Sequence, residues 1–266
     1  MARPATPKIA AMTGAFLNIS TYRFVPLDEL EALREQLHAE AASRQLTGTV
    51  LIAEEGINLF LAGPAEAVRS WLEAAARIDA RLANLAPKES WSDTQPFKRL
   101  KVKVKAEIIR MNMPAIRPAE GRAPAVPPRT LARWLAQGHD DEGREVVTLD
   151  TRNDFEVDAG AFEGAIDWRL RKFSEFPAAL ETHRDELKDK TIVSYCTGGI
   201  RCEKAAIVMQ QLGLSHTYQL EGGILKYFEE TDGAPHWRGG CFVFDEREVL
   251  DASLLPTEDT AGASAC

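Results

Sequence analysis

Cys196 and Arg201 bracket a six-residue stretch, Cys196-Thr197-Gly198-Gly199-Ile200-Arg201, whose residue types suit a reactive sulfur. The preceding run Thr191–Tyr195 (TIVSY), with β-branched Thr191, Ile192 and Val193, predicts a buried strand, and a helix is expected to begin at Arg201. A thiol delivered from a strand into a glycine-rich turn faces loop amides and a helix amino terminus, and both favour negative charge. Such a cysteine has a lowered pKa and is partly thiolate near neutral pH. The plain alternative is a small buried hydrophobe at a strand end. That alternative gives no reason for Gly198, Gly199 and Arg201 to cluster beside it.

The spacing narrows the chemistry. Tyrosine phosphatases set their thiolate and arginine at C-x5-R, a cradle that fits a phosphate. The C-x4-R loop here is one residue shorter and suits a smaller group, such as a persulfide sulfur. Cys202 follows on the first helical turn, where it either resolves an oxidised Cys196 or is a buried, inert thiol. Glu203 and Lys204 read as helix-start and surface residues. Asp150, Arg152 and Glu156 form D-x-R-x-x-x-E at a strand end, a set that either acts on substrate or, the favoured reading, holds the active loop by ion pairs.

The elements that must position this loop come from the rest of the 266 residues, a length that suits two domains. Residues 1–113 alternate strand and helix signals. A short strand is expected at 15–19. A helix opens near Pro26 and Asp28 with Leu30, Leu33, Leu37 and Ala41 at helical spacing, and a hairpin spans 47–53 and 57–61 across Glu54-Glu55-Gly56. A helix follows over 65–78, and a last strand over 99–109. The order βαββαβ is ferredoxin-like. Residues 114–128 hold five prolines and one glycine and read as a stiff linker. Residues 129–235 alternate strands and helices, including a short strand near 165–168, and imply a parallel sheet with helices on both faces. Residues 236–266 form a carboxy-terminal segment that loses pattern after Cys241, and 256–266 reads as disordered.

Composition excludes several classes. The 45% hydrophobic and 27% charged content is that of a globular protein. No apolar run approaches the roughly 20 residues that span a bilayer, and residues 1–16 make a poor signal peptide. The four cysteines, Cys196, Cys202, Cys241 and Cys266, form no C-x-x-C pair and no zinc-ligand pattern, which fits a reducing cytoplasm; Cys266 reads as incidental. No flavin or nicotinamide fingerprint is present. The net charge of −8 hides an asymmetry: residues 1–125 carry 17 basic against 14 acidic side chains, residues 126–266 carry 15 against 26. A polyanion can therefore still dock on the first half.

With these features in place, the second half resembles a rhodanese domain. Leu149-Asp150-Thr151-Arg152 matches its first strand end, Cys196 to Arg201 its active loop, and Glu221-Gly222-Gly223-Ile224 its late Gly-Gly turn. Over nearly the whole chain the sequence resembles the rhodanese-like tRNA uridine-34 hydroxylases. The string Tyr195 to Ala205 (YCTGGIRCEKA) is nearly diagnostic of them. Glu54-Glu55-Gly56-Ile57-Asn58 and Cys241 to Arg247 (CFVFDER) also look like that family. One departure is Ala161, which stands where rhodaneses often carry a histidine before the Phe-x-Gly-Ala turn. Some longer relatives also carry a cysteine-rich carboxy-terminal extension, which has no counterpart in these 266 residues.

The resemblance implies an α/β enzyme, cytoplasmic, that acts on tRNA. It implies molecular oxygen as co-substrate and an unidentified electron donor, with no metal or flavin motif. Cys196 then serves either as a covalent nucleophile at uridine C6 or as a persulfide carrier, and plain sulfurtransfer is the alternative activity. Arg201 is expected to combine a role at the thiolate or at an RNA phosphate with a role in holding the loop. Arg99, Lys101, Lys103 and Lys105 alternate with apolar residues and put four cations on one strand face. On spacing alone that is a solvated sheet face; with the resemblance it becomes a phosphate-tracking stripe. Phe162, Phe173 and Phe176 are candidates to stack on a flipped base, against the alternative that each is core.

Overall fold

The computed structural model describes residues 14–257. Residues 1–13, part of the stretch read as a poor signal peptide, lie outside it, as do Cys266 and most of the stretch read as disordered. Pro256 and Thr257, the first residues of that stretch, are held: Pro256 bridges to Leu250, and the Thr257 amide donates to the Val249 carbonyl.

The first half contains β1 (Phe16–Phe24), α1 (Leu30–Ser43), β2 (Thr47–Ala53), β3 (Gly56–Gly63), α2 (Ala65–Ile78), β4 (Lys88–Ser92) and β5 (Leu100–Val104). Its sheet runs β4-β1-β3-β2-β5. The first four strands are antiparallel throughout and give the ferredoxin-like order. This corrects the strand assignment. The fourth ferredoxin strand is β4, not the stretch 99–109, and β5 is an extra edge strand parallel to β2. β4 escapes a hydrophobic reading because Lys-Glu-Ser-Trp-Ser carries one apolar residue, and an edge strand needs no more.

One face of this sheet is covered. Leu17, Ile19, Val50, Ile52, Leu59, Leu61 and Val102 meet Leu33, Leu37 and Ala41 of α1 and Val68, Trp71 and Ala75 of α2. The period-2 alternation leaves Ser20, Tyr22, Phe24 and Phe60 on the other face, which has no helix of its own. The pairing registers place Lys88, Ser20, Phe60, Thr49 and Lys101 side by side in one row across the five strands of that open face.

The second half contains β6 (Ala125–Val126), α3 (Pro128–Gln137), β7 (Val146–Asp150), α4 (Asp154–Val157), β8 (Gly160–Phe162), α5 (Phe176–His183), β9 (Thr191–Tyr195), α6 (Ile200–Gln211), β10 (Thr217–Leu220) and α7 (Gly223–Glu230). The parallel sheet runs β6-β10-β9-β7. α5 and α6 close one face around Phe176, Leu180, Ala205 and Met209, and α3 and α7 close the other around Leu131, Ile224 and Tyr227. β9 is therefore buried on both faces, with Thr191 and Ser194 buried alongside Ile192, Val193 and Tyr195. The strand expected near 165–168 is only a single bridge at Ile166, and the strand there is β8. The linker is not free: Ile116 and Ala123 are buried in the second core, and β6 within it pairs with β10.

The two halves are tied at three places. Lys204 is fully buried, and its ammonium donates to Glu107 (2.7 Å), Glu55 (3.0 Å) and the Ile109 carbonyl (3.1 Å). Three acceptors satisfy its three protons. Glu203, also buried, accepts from Tyr22 Oη at 3.0 Å and from the Arg122 guanidinium. Both read from the sequence as helix-start and surface residues. The contact between the halves buries them, and helical periodicity records only packing within a domain. The third tie is the carboxy-terminal segment, with β11 (Trp237–Gly239), β12 (Cys241–Phe242) and β13 (Val249–Leu250). Arg247 reaches Ser90 Oγ at 2.7 Å, and the ring of Phe244 lies against Phe60 at 6.4 Å between centroids. Among the described residues, no helix is long and apolar enough to cross a membrane.

Candidate active site at the junction of the two halves

β9 ends at Tyr195 and α6 begins at Ile200, so Cys196 to Gly199 form the whole connection. The Gly199 amide donates to Cys196 Sγ at 3.1 Å. Gly199 has φ +99°, a left-handed conformation that turns the chain into α6 and that side chains resist. The loop carbonyls are held from outside: Ile224 N donates to Cys196 O (3.0 Å) and Leu225 N to Thr197 O (3.2 Å). That contact explains the late Gly-Gly turn. A Cβ on Gly223, which has φ +68°, would sit 2.4 Å from Cys196 O. Gly223→Ala is expected to lower stability by about 2 kcal/mol or more and to displace the loop. Denaturant melts would check this, and an unchanged midpoint would remove the account.

Cys196 is fully buried. Burial pushes its thiol up, but the Cys202 thiol donor, the Arg201 charge and the Arg201 and Gly199 amides outweigh burial and bring it below its ordinary value. Cys202 takes the opposite direction: burial and the Cys196 thiolate raise it, so it remains a proton donor. Its sulfur also lies 3.8 Å from Thr151 Oγ1. The third described cysteine, Cys241, is pushed up to about 12 by burial.

Arg201 does not point its fork at a ligand. Its two terminal nitrogens donate to the two oxygens of Glu156 at 2.6 and 2.7 Å, with both side chains buried. Burial acts to lower the Arg201 pKa and to raise that of Glu156; the pair reverses both directions. Beside them Arg152 donates to Asp150 through Nε (2.9 Å) and Nη2 (2.6 Å), to Glu156 O and to Gly160 O. The D-x-R-x-x-x-E set and Arg201 thus form one buried ionic frame that ties α4 to the first turn of α6.

The first half completes the site. Lys88 Nζ donates to Gly198 O at 2.5 Å. Burial lowers its pKa, and the Cys196 thiolate opposes that. Tyr22 Oη lies 3.1 Å from where a Gly199 Cβ would stand, and burial raises the phenol far above its ordinary value, with Glu203 and Cys196 adding to it, so it stays protonated. Sequence reasoning missed Lys88, Tyr22 and Arg122. The signals were present but weak: an alternating polar strand at 88–92, and Ser20, Tyr22 and Phe24 on one face of β1.

A cleft of about 990 Å³ lies between the open sheet face and the loop, lined among others by Tyr22, Lys88, Arg122, Thr197, Gly198 and Ile200. Arg99, Lys101, Lys103 and Lys105 lie at the far edge, on and beside β5, four strands from β4. Lys101 shares its row with Lys88, and no ion pair engages any of the four among the described residues. Phe162, Phe173 and Phe176 are 3%, 5% and 0% exposed. They are core residues and cannot stack on a base. Among the described residues, no group of three or more His, Cys, Asp or Glu could hold a metal ion.

Residues 16–108 match the UPF0176 acylphosphatase-like domain, and residues 131–230 match the rhodanese-like domain. The chain is 68% identical over 241 residues to a tRNA uridine(34) hydroxylase of Delftia acidovorans, covering 91% of each chain. It is 61% identical over 242 residues to the protein of that name from Bordetella petrii, covering 91% of this chain and 95% of the relative. It is 60% identical over 253 residues to that of Ralstonia nicotianae, covering 94% and 86%. The matches run along 86% or more of each relative, and the chain belongs to the tRNA uridine(34) hydroxylase family.

Proposed function

We propose that the protein hydroxylates C5 of the uridine at position 34 of tRNA, with Cys196 as the residue that activates the base. The observation that carries this reading is the lowered pKa of Cys196 in a loop that opens on a cleft walled by a second domain. A sulfur donor is small and needs no such wall; a tRNA does.

Uridine C5 is a poor nucleophile until something adds at C6. The Cys196 thiolate forms the S–C6 bond, the C5=C6 π bond breaks, and its electron pair moves onto O4. Lys88 supplies a cation for the charge that develops on O4, and Tyr22 a neutral hydroxyl donor. C5 then carries the electron density that bonds to molecular oxygen; after two-electron reduction of the O–O bond, loss of the C5 proton restores C5=C6, breaks the S–C6 bond and releases the Cys196 thiolate. Overall, uridine, O2, two electrons and two protons give 5-hydroxyuridine and water, with the electrons from a donor outside the chain. The enzyme works in the cytoplasm in this reading. Arg99, Lys101, Lys103 and Lys105 track the RNA backbone, and Arg201 acts through its charge and through the frame it forms with Glu156. Because Cys196 is fully buried and Lys88 holds the Gly198 carbonyl beside it, the base replaces the Lys88–Gly198 contact on entry.

Sulfurtransfer from thiosulfate or a persulfide is the second reading, favoured by the rhodanese-like domain match. Nucleoside analysis of tRNA incubated with the wild-type protein and with Cys196→Ser separates the two. 5-Hydroxyuridine formed by the first and not the second supports hydroxylation. Thiosulfate–cyanide activity with unchanged tRNA would replace it by sulfurtransfer.

The sulfur pair gives a further expected result. Cys202→Ala removes a donor to the Cys196 thiolate, which disfavours the charged form and raises its pKa. The acid limb of the kcat/KM–pH profile should move to higher pH. An acid limb that stays in place would show that Cys202 does not tune the nucleophile.

A further inference from the structure

Two of the three exposed large hydrophobic side chains among the described residues stand together: Phe155, 46% exposed, and Phe244, 47% exposed. Their ring centroids are 6.5 Å apart, and both rings meet Phe242 edge to face, at 5.1 and 5.3 Å. Phe155 lies on α4, which Glu156 and Arg152 anchor to the active loop, and Phe244 lies on the carboxy-terminal segment. Elements from distant parts of the chain thus converge on one aromatic patch, and it adjoins the site. Thr197 Oγ1 donates to Phe242 O at 3.4 Å, and one cavity has both Thr197 and Phe244 in its wall, together with Lys88 and Phe60.

The register fixes what lies beyond. Phe60, against which Phe244 rests, is the central residue of the row Lys88-Ser20-Phe60-Thr49-Lys101. Strands are spaced about 4.8 Å, so Phe60 lies roughly 10 Å from Lys88 and Lys101 roughly 10 Å further on. A groove past Phe244 is lined by Arg99 and Lys101. Its carboxylates are largely neutralised, Asp245 by Arg247 and Glu246 by Lys98, with Glu248 left exposed on the rim. Along one line lie the loop that buries the reactive sulfur, an exposed pair of aromatic rings and unpaired cations. Single-stranded nucleic acid is bound by aromatic faces for its bases and cations for its backbone.

We propose that Phe155 and Phe244, whose rings stand nearly perpendicular, form an aromatic corner in which a nucleobase that flanks uridine 34 stacks on one ring and meets the other edge-on, with Arg99 and Lys101 taking the adjoining phosphates. This rests on the tRNA reading above and names the part of the surface that holds the anticodon strand while uridine 34 is turned toward Cys196. The platform binds rather than reacts, so its loss weakens RNA binding and leaves the chemical step alone. A base on this platform also explains why both rings are left half-exposed beside a closed core.

The test uses the full chain and an anticodon stem-loop RNA with 2-aminopurine at position 33 or 35, whose fluorescence falls on stacking. The wild-type protein should quench one of the two probes. Phe155→Ala with Phe244→Ala should abolish the quenching and raise the Kd and the KM for tRNA about 5- to 100-fold, with kcat within about twofold. The salt dependence of binding should be unchanged, because no counterion-releasing contact is lost. Phe244→Trp should keep both quenching and affinity, which excludes misfolding as the cause of the alanine result. Lys101→Glu should instead flatten the salt dependence. Quenching that persists in the double alanine variant overturns the proposal, as does a wild-type protein that quenches neither probe. Loss of self-association in the double variant with RNA binding intact also overturns it, by assigning the platform to a second copy of the chain. Absent 5-hydroxyuridine in the presence of normal quenching would count against the hydroxylation reading and leave the platform standing.

Discussion

Replacing Cys196 by serine is expected to cut formation of 5-hydroxyuridine by on the order of 10³-fold or more. The environment around this sulfur stabilises an anion, through the amides of Gly199 and Arg201, the Cys202 thiol and the Arg201 charge. A serine hydroxyl in the same place stays protonated, because its ordinary pKa is far above that of a thiol. The substitution is nearly isosteric, so the buried frame of Arg201 and Glu156 should survive and the protein should melt near the wild-type temperature. Two readouts separate the roles open to the sulfur. If the thiolate adds at C6, tRNA with 5-fluorouridine at position 34 should form a covalent complex with the wild-type protein, since fluorine on C5 blocks the proton loss that completes the reaction. Cys196→Ser should form none. If Cys196 carries a persulfide instead, no such complex appears, and the wild-type protein gains one sulfur by mass. Full hydroxylation by Cys196→Ser would sink both roles.

The second large effect concerns stability. Glu156→Gln is expected to cost about 3–5 kcal/mol, because it leaves the Arg201 charge buried without its counter-ion. Arg201 donates to both oxygens of Glu156, and its remaining nitrogen, Nε, has no partner at all. The neighbouring Asp150 is already engaged by Arg152 and cannot substitute. For a chain of this size the melting temperature should fall by on the order of 10 °C. The pH dependence follows from the direction of the Glu156 shift. Its carboxyl is held below the ordinary value in the folded state, so its contribution is complete above the unfolded carboxyl pKa. That contribution is lost as pH falls through the lower folded value. The gap between wild-type and Glu156→Gln should therefore be widest near neutral pH and shrink in acid. A variant that melts with the wild type at pH 7 would mean the ion pair is not what holds the loop.

Much of this site is local in the chain. β9, the four-residue connection and the first turn of α6 are consecutive, and strand, glycine turn and helix each leave a mark on neighbouring residues. The alternation of β1, β2 and β3 and the heptad-like spacing of α1 are equally local, which is why the ferredoxin-like order was readable while its fourth strand was not. β4 offers only Trp91 to an apolar pattern, and β5, with its regular alternation, took its place.

The sequence by itself determined the two α/β halves and the reactive cysteine loop, because each is written in runs of adjacent residues whose periodicity and spacing reflect local backbone geometry; the family came from the resemblance of whole strings such as Tyr195 to Ala205. Only the tertiary structure decided what the loop faces. Lys88 and Gly198 are 110 residues apart, Lys204 and Glu55 149, and Tyr22 and Glu203 181. Contacts at such separations follow from how two folded surfaces meet, and no periodicity within either half encodes that meeting. The same holds for the aromatics. Phe162, Phe173 and Phe176 and the exposed pair Phe155 and Phe244 are alike in one-letter code, and only burial distinguishes a core ring from one free to meet a base.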